Sequence, residues 1–414
     1  MASCARTDNP LRITCSVVLP EPGPVTLALQ APAGETRRFV SGVSALEHEV
    51  LGWGLKPSTT YTWSVAGIEG SLQTGALPAD LEATEIEVSG QPEGFDAVLQ
   101  TLFCEGDDEL VGYFAMIDGD GDIVWFETNP LPYANSFGYE WSAADHSLLS
   151  TNGAVFVELG ISGEELLRLE RGIDFEHKLH HDVARWGPYT YLLQEHPVGS
   201  LSVDGVYVFE GETLLGTIDL EDHFTIGGDG HNGDWAHANG LNATDSGELV
   251  MSLLVFDSVL GIDGDPASPG FLGLSWVASG SPAGLSDADY RPPPGAEQGF
   301  SGQHNASRRG DELWVFDNTG DGARSRALRM RMDHAAGELP LDAAWYLPRR
   351  CNIHGGAIPI EGGVLASCAT TGDVFAFAEG SDEPQWWMRA DCGGDTGSAI
   401  SITRGIPVSF PRIP

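Results

Sequence analysis

From about residue 85 onward one unit keeps returning: a turn rich in Gly and Asp, followed by a strand that carries Trp or Phe. Met116-Ile117-Asp118-Gly119-Asp120-Gly121-Asp122-Ile123-Val124-Trp125, Val315-Phe316-Asp317-Asn318-Thr319-Gly320-Asp321-Gly322 and Gly372-Asp373-Val374-Phe375-Ala376-Phe377, leading to Trp386-Trp387, are three examples. A hairpin-sized unit cannot bury its apolar face alone, so repeated copies stack on one another. Six units, starting near Ala97, Tyr139, His181, His237, His304 and His354, predict a six-bladed β-propeller over 85–414, with a final strand from Ile400 to Phe410 closing the ring. The 53 glycines and 25 prolines of the 414-residue chain agree, because they favour short strands and tight turns over long helices. The fold class is all-β.

A different pattern precedes the repeats. Strands are expected at Arg12 to Leu19, Val25 to Leu29, Arg37 to Val43, Glu47 to Gly52, Thr59 to Val65 and Gly70 to Thr74. Leu55-Lys56-Pro57-Ser58-Thr59-Thr60-Tyr61-Thr62-Trp63 resembles the fibronectin type III signature, in which a Pro turn precedes a strand with inward aromatics. Residues 1–80 therefore predict a small fibronectin III-like β-sandwich, with 85–414 as the second domain.

Lys and Arg number 21 against 60 Asp and Glu, a net charge of −39 that repels phosphate backbones and anionic lipid surfaces. Nucleic acid and membrane insertion are not expected; the expected partner is a small aromatic molecule. The segment Met1 to Pro10 lacks the basic-then-apolar pattern of a signal peptide, and no stretch of about twenty apolar residues occurs. The six cysteines include no C-x-x-C pair, which argues against a zinc ribbon. Disulfides stay open, with Cys4 and Cys15 placed to staple the first strand of a secreted, periplasmic or cell-surface protein. Asp118, Asp120 and Asp122 suggest a cation loop, but an EF-hand needs Gly at position six and Glu at twelve, where this chain has Ile123 and Asn129. A plain hairpin turn is the reading kept.

Four histidines share one local setting, each followed by a short polar or Gly-containing step and then an apolar strand: His181, His237, His304 and His354. If each lies where the innermost strand of a blade begins, rotation about the ring axis gathers the four imidazoles at one point. His48, His146, His223 and His334 read as solvated side chains. His177, His180, His196 and His231 read as structural residues near the channel mouth.

The His180-His181-Asp182 step, Asp234-Trp235-Ala236-His237-Ala238-Asn239, and Gln303-His304 followed by Phe316-Asp317-Asn318 together resemble the bacterial aryl sulfotransferases that use phenolic sulfate esters as donors. The resemblance covers most of residues 110 to 380. It implies a propeller behind an N-terminal sandwich, no cofactor, and a sulfuryl group carried on the histidine of the Gln-His motif, here His304. It further implies that His237, Asn239 and His181 bind the sulfuryl oxygens and handle the phenol proton, with His354 completing the catalytic set. One position departs from that family: Leu254 stands where its members carry an Arg that holds the sulfate. Arg185, Arg308 and Arg324 are the candidates to replace it.

The loss of that Arg supports a second expectation. Four neutral imidazoles suit Fe, Cu or Zn, with His181, His237, His304 and His354 as ligands and Asp182 or Asn239 orienting them. A third is ligand binding without turnover. The Gly/Pro-rich segment Gly264 to Gln298 is expected to form a lid, with Tyr290 and Phe300 as aromatic contacts.

Overall fold

Alternating apolar residues lay down an N-terminal antiparallel sheet of β1 (Ala2–Arg6), β2 (Ile13–Gln30), β3 (Thr36–Gly52), β4 (Thr60–Val65) and β5 (Ile68–Gln73). Ile13, Cys15, Val17, Val25, Leu27 and Leu29 of β2 all turn inward. In this computed structural model residues 1–414 are described except 106–109, 132–137, 228–232, 283, 295–298, 394–403 and 412–414. Where the sequence suggests two strands before residue 30 and two more before 53, the chain forms one long strand each time. The β2–β3 register shifts on either side of Gly23, so both strands pass through the bend unbroken.

After one helical turn, Ala79–Glu82, the chain enters six further sheets among the described residues. Four use consecutive strands in chain order: β10 (Gly138–Ser142) to β13 (Glu165–Glu170), β14 (Lys178–Trp186) to β17 (Thr213–Asp219), β18 (Ala238–Ala243) to β21 (Leu274–Ser279), and β22 (His304–Arg309) to β25 (Leu341–Tyr346). The other two are shared across the chain ends. β26 (Gly356–Ile360) to β29 (Trp386–Asp391) receives β6 (Glu85–Gly90) as a fifth strand. β30 (Ile406–Val408) takes the innermost place beside β7 (Ala97–Glu105), which continues into β8 (Leu110–Asp118) and β9 (Ile123–Thr128). The unit expected to start at Ala97 thus begins with its second strand, because the first comes from the far end of the chain.

The innermost strands β10, β14, β18, β22, β26 and β30 neighbour one another in turn, and β30 lies against β10. The ring is closed. Each sheet packs on two others, so middle strands such as Val155–Gly160 are buried on both faces. No helix among the described residues is long and apolar enough to cross a membrane.

All six cysteines are paired. Cys4–Cys15 joins β1 to β2, Cys351–Cys368 pins the segment before β26, and Cys104–Cys392 bridges the seam where the ring closes. The N-terminal sheet is fastened to the ring through Trp53, which packs on Trp141, His146 and Phe410, and through Arg12 paired with Glu127. Lys56 adds a third tie. Its ammonium lies 3.2, 2.8 and 2.7 Å from Asp118, Asp120 and Asp122, so a lysine neutralises the acidic turn that invited a cation reading. His48 and His146 are not the solvated side chains expected. His48 is buried against Ser41 and the Ala45 carbonyl, and His146 fills the joint between Trp53 and Trp141, since both face the core of the N-terminal sheet or its contact with the ring.

Candidate active site

His181, His237 and His354 adopt left-handed backbone conformations, with φ of 52°, 53° and 49°. Such values are uncommon outside glycine and concentrate at functional sites. His237 directly precedes the inner strand β18 and His354 stands two residues before β26, whereas His181 lies in β14 where its pairing with the next strand is interrupted between Leu179 and Val183. On the β22 blade the left-handed residue is Asn305, φ 45°, and His304 comes one place earlier. The kink turns each side chain off the sheet and toward the ring axis.

The four imidazoles meet there. Ring centroids are 4.9 Å apart for His181 and His237, 5.4 Å for His181 and His354, and 5.5 Å for His304 and His354. Glycine in the inner strands permits the close approach of neighbouring blades: a Cβ on Gly138 would lie 2.3 Å from the His181 carbonyl. With the strands closed into a ring and these side chains on its axis, the fold class is settled by topology. The body of the chain is a β-propeller.

Partners differ among the four rings. His237 Nδ1 bonds Asp234 at 2.8 Å, which fixes the proton on Nδ1 and leaves Nε2 as a free acceptor. His304 Nδ1 bonds Asn318 Oδ1 at 2.8 Å while its Nε2 accepts the backbone N–H of His354 at 3.2 Å, so both nitrogens are engaged. His181 Nδ1 lies 2.8 Å from His180 Nδ1, and His180 Nε2 lies 3.2 Å from Asp204. Although burial opposes protonation of His180, Asp204 and Glu195 outweigh it and raise its pKa. When His180 is protonated it is the donor, and the proton of His181 then sits on Nε2.

Three of the four rings resist protonation. Burial, reinforced by the neighbouring imidazoles, holds His181 well below its ordinary value and takes His304 to about 3 and His354 to about 4. Asn318 also donates to the carbonyls of Cys351 and His354, at 2.8 and 2.9 Å, tying the pinned His354 segment to His304.

Of the other expected residues, Asn239 is buried beside the histidines and donates to the Gln303 carbonyl at 2.8 Å. Asp182 orients no imidazole; it accepts from Arg404 at 2.7 Å and from the Leu241 and Val183 amides at 2.9 Å. Leu254 lies next to His237, its N–H on the His237 carbonyl at 3.2 Å. None of the three arginines proposed in its place reaches the site: Arg185 pairs with Glu158, Arg308 with Glu248 and Arg324 with Asp321.

The cation at the site is Arg404, buried, bonded to Asp182 and to Glu140 at 2.7 Å each. It stands two residues before β30 as His354 stands two before β26. The signal in the sequence is positional, since a closing strand is expected from Ile400 to Phe410 and Arg404 lies within it. The described residues of the expected lid lie along the outer strands of two blades: Tyr290 pairs with the outer strand β21 and bonds His334 at 2.6 Å, and Arg291 bonds Gly337 and Leu339, while Phe300 is buried. His196 lies near Asp219 and Glu221 and 5.2 Å from the ring of His177, and His223 bonds the Leu272 carbonyl. His231 and residues 400–403 of the expected closing strand lie outside the described residues.

No protein-family model matches the chain, and no curated protein is similar to it. Among solved structures it is similar to virginiamycin B lyase from Staphylococcus aureus, at 10% identity and TM-score 0.38, covering 94% of this chain and 99% of that one. A streptogramin B lyase shows 12% identity and TM-score 0.39 over 72% of this chain and 84% of that one. The periplasmic gluconolactonase of Pseudomonas aeruginosa shows 13% and 0.42 over 94% and 100%.

Proposed function

We propose that this chain, a six-bladed β-propeller behind a fibronectin III-like unit, moves a sulfuryl group between phenolic compounds through a histidine. The observation that carries the reading is His237: its Nδ1 is held by Asp234 and its Nε2 has no partner among the described residues, beside a His181 whose Nδ1 meets His180. Nε2 of His237 attacks sulfur as the bond from sulfur to the aryl oxygen breaks, and His181 gives its Nε2 proton to the departing phenolate while taking the Nδ1 proton of a protonated His180, so no imidazolate forms. An acceptor phenol then returns a proton to His181 Nε2 as His181 Nδ1 hands its own back to His180, the phenol oxygen attacks sulfur, and the bond from nitrogen to sulfur breaks. Neutral rings suit this work, because a protonated imidazole has no lone pair to offer. Both nitrogens of His304 are engaged, so His304 supports the site in this reading, although the family resemblance places the covalent step there. Three disulfides support a secreted, periplasmic or cell-surface setting.

Mass spectrometry of protein quenched during turnover of a chromogenic aryl sulfate tests the assignment. The adduct is expected on His237, and Asp234→Asn should slow turnover about a hundredfold or more by releasing the tautomer. An adduct on His304 would restore the assignment from resemblance, and acceptor-independent phenol release without any adduct would end the covalent route.

A second reading, a centre holding Fe, Cu or Zn, is supported by the anchoring of three rings through Nδ1, as partners of metal-bound histidines do. Among the described residues only Asp118, Asp120 and Asp122 offer three ligand atoms within 4.8 Å of one another, so the imidazoles would have to rotate to share an ion. Stoichiometric metal in protein purified without added metal would favour this second reading.

A further inference from the structure

One step further along the inner strands from the imidazoles, the axis opens into a cavity of about 20 Å3, room for a single oxygen-sized species. His181, His304, His354, Asn239, Asn305 and Arg404 are among its lining residues. Among the described residues, polar atoms in and beside its wall lack partners. Both amide atoms of Asn305, Oγ of Ser367 and Nε of Arg404 are sealed from solvent without a hydrogen bond, in residues only 3%, 1% and 5% exposed. Buried polar groups are nearly always satisfied, so unsatisfied side chains at one small void, Asn305 and Arg404 in its wall and Ser367 beside them, call for an oxygen-bearing occupant.

These three side chains surround Gly356. A Cβ on Gly356 would lie 3.2 Å from Asn305 Oδ1, 3.3 Å from Arg404 Cβ and 3.4 Å from Ser367 Oγ, so the glycine lets the three side chains come together. Asn305 occupies the left-handed position that carries histidine on three other blades, which sets a short amide on the axis where those blades set imidazoles. Arg404 is held in place by Asp182, Glu140 and the Tyr139 carbonyl, all through its terminal nitrogens, while Nε stays unpaired.

We propose that this void receives one oxygen of the sulfuryl group, held by the Asn305 amide, the Ser367 hydroxyl and Arg404 Nε–H. This rests on the transfer reading and deepens it: the three donors do the work of the arginine that Leu254 lacks. A sulfuryl group spreads its charge over three oxygens, and a fixed set of donors around one of them stabilises it without reorganisation.

Inorganic sulfate is the probe, titrated calorimetrically into the full chain beside an aryl sulfate turnover assay on the same preparations. Asn305→Asp keeps the shape and tolerates the left-handed backbone but replaces the donor with a repelling acceptor; it is expected to weaken sulfate about tenfold or more. Gly356→Ala should do the same by pressing the three side chains apart, and Ser367→Ala, the mildest change, should cost about threefold, with circular dichroism confirming that each variant folds. Sulfate affinity within about twofold of the parent in Asn305→Asp and Gly356→Ala, or no sulfate binding by the parent, overturns the pocket. If the variants lose sulfate but the parent turns over no aryl sulfate, the pocket stands and the transfer reading falls. If turnover proceeds and the variants bind sulfate like the parent, the pocket alone falls.

Discussion

At the scale of single residues, what distinguishes the site is a division of labour among chemically identical side chains. His237 and His181 are both imidazoles, yet an aspartate lies behind one and a histidine near Asp204 behind the other, so a protonated His180 gives the two rings opposite tautomers. Asp234 and Asn318 belong to the motifs that mark the chain, but which ring nitrogen each would touch depends on side chains meeting across three dimensions. Arg404 matters in the same way. It serves two carboxylates, and burial lifts Glu140 to about 7, with Arg404 holding the rise back and the Asp182 charge adding to it. Between about 4.5, the ordinary value, and 7 the folded protein therefore keeps a proton that the unfolded chain has lost. Stability should fall as pH rises across that window, by about 3 kcal/mol, and stay level below it. Urea denaturation at pH 4.5 and 7.5 checks this: Glu140→Gln should remove most of the difference, and an equal pH response in both proteins would contradict it.

At the scale of elements, the inner strands decide function and the outer ones supply bulk. Each inner strand delivers one left-handed residue or one buried polar side chain to the axis, which is why the histidines were legible from their common setting before apolar strands. The element that the sequence left weakest is also the one most consequential. β30 is only three residues, Ile406–Val408, yet it closes the ring against Ala97–Leu99 and brings Arg404 to the histidines. Removing residues 404–414 should bare the edge of β7, a template for pairing with other chains. The truncated protein is expected to run as aggregate on size exclusion, whereas a monomeric elution with an unchanged far-ultraviolet spectrum would show that the ring closes without this strand.

At the scale of the whole molecule, closure is enforced twice, by exchange of strands between the chain ends and by Cys104–Cys392, whose partners are 288 residues apart. A cross-link that long restricts the unfolded chain severely, worth about 5 kcal/mol on chain-entropy grounds. Replacing both cysteines with Ala should lower the melting temperature while leaving the circular dichroism of the folded state intact, and an unchanged melting temperature would mean that strand exchange alone holds the seam. The sequence by itself determined the all-β class, the repeating units and the four histidines, because turn chemistry, strand alternation and recurrence are local and survive reading along one line. It also marked Cys4 and Cys15, whose pairing needs only a neighbouring strand. Only the tertiary structure decided that Lys56 would fill the acidic turn, that Arg404 would stand where Arg185, Arg308 and Arg324 do not, and which ring nitrogens of His181, His237 and His304 are held. Those outcomes depend on contacts between residues far apart in the chain, and the burial that sets charge and proton position exists only once the ring has closed.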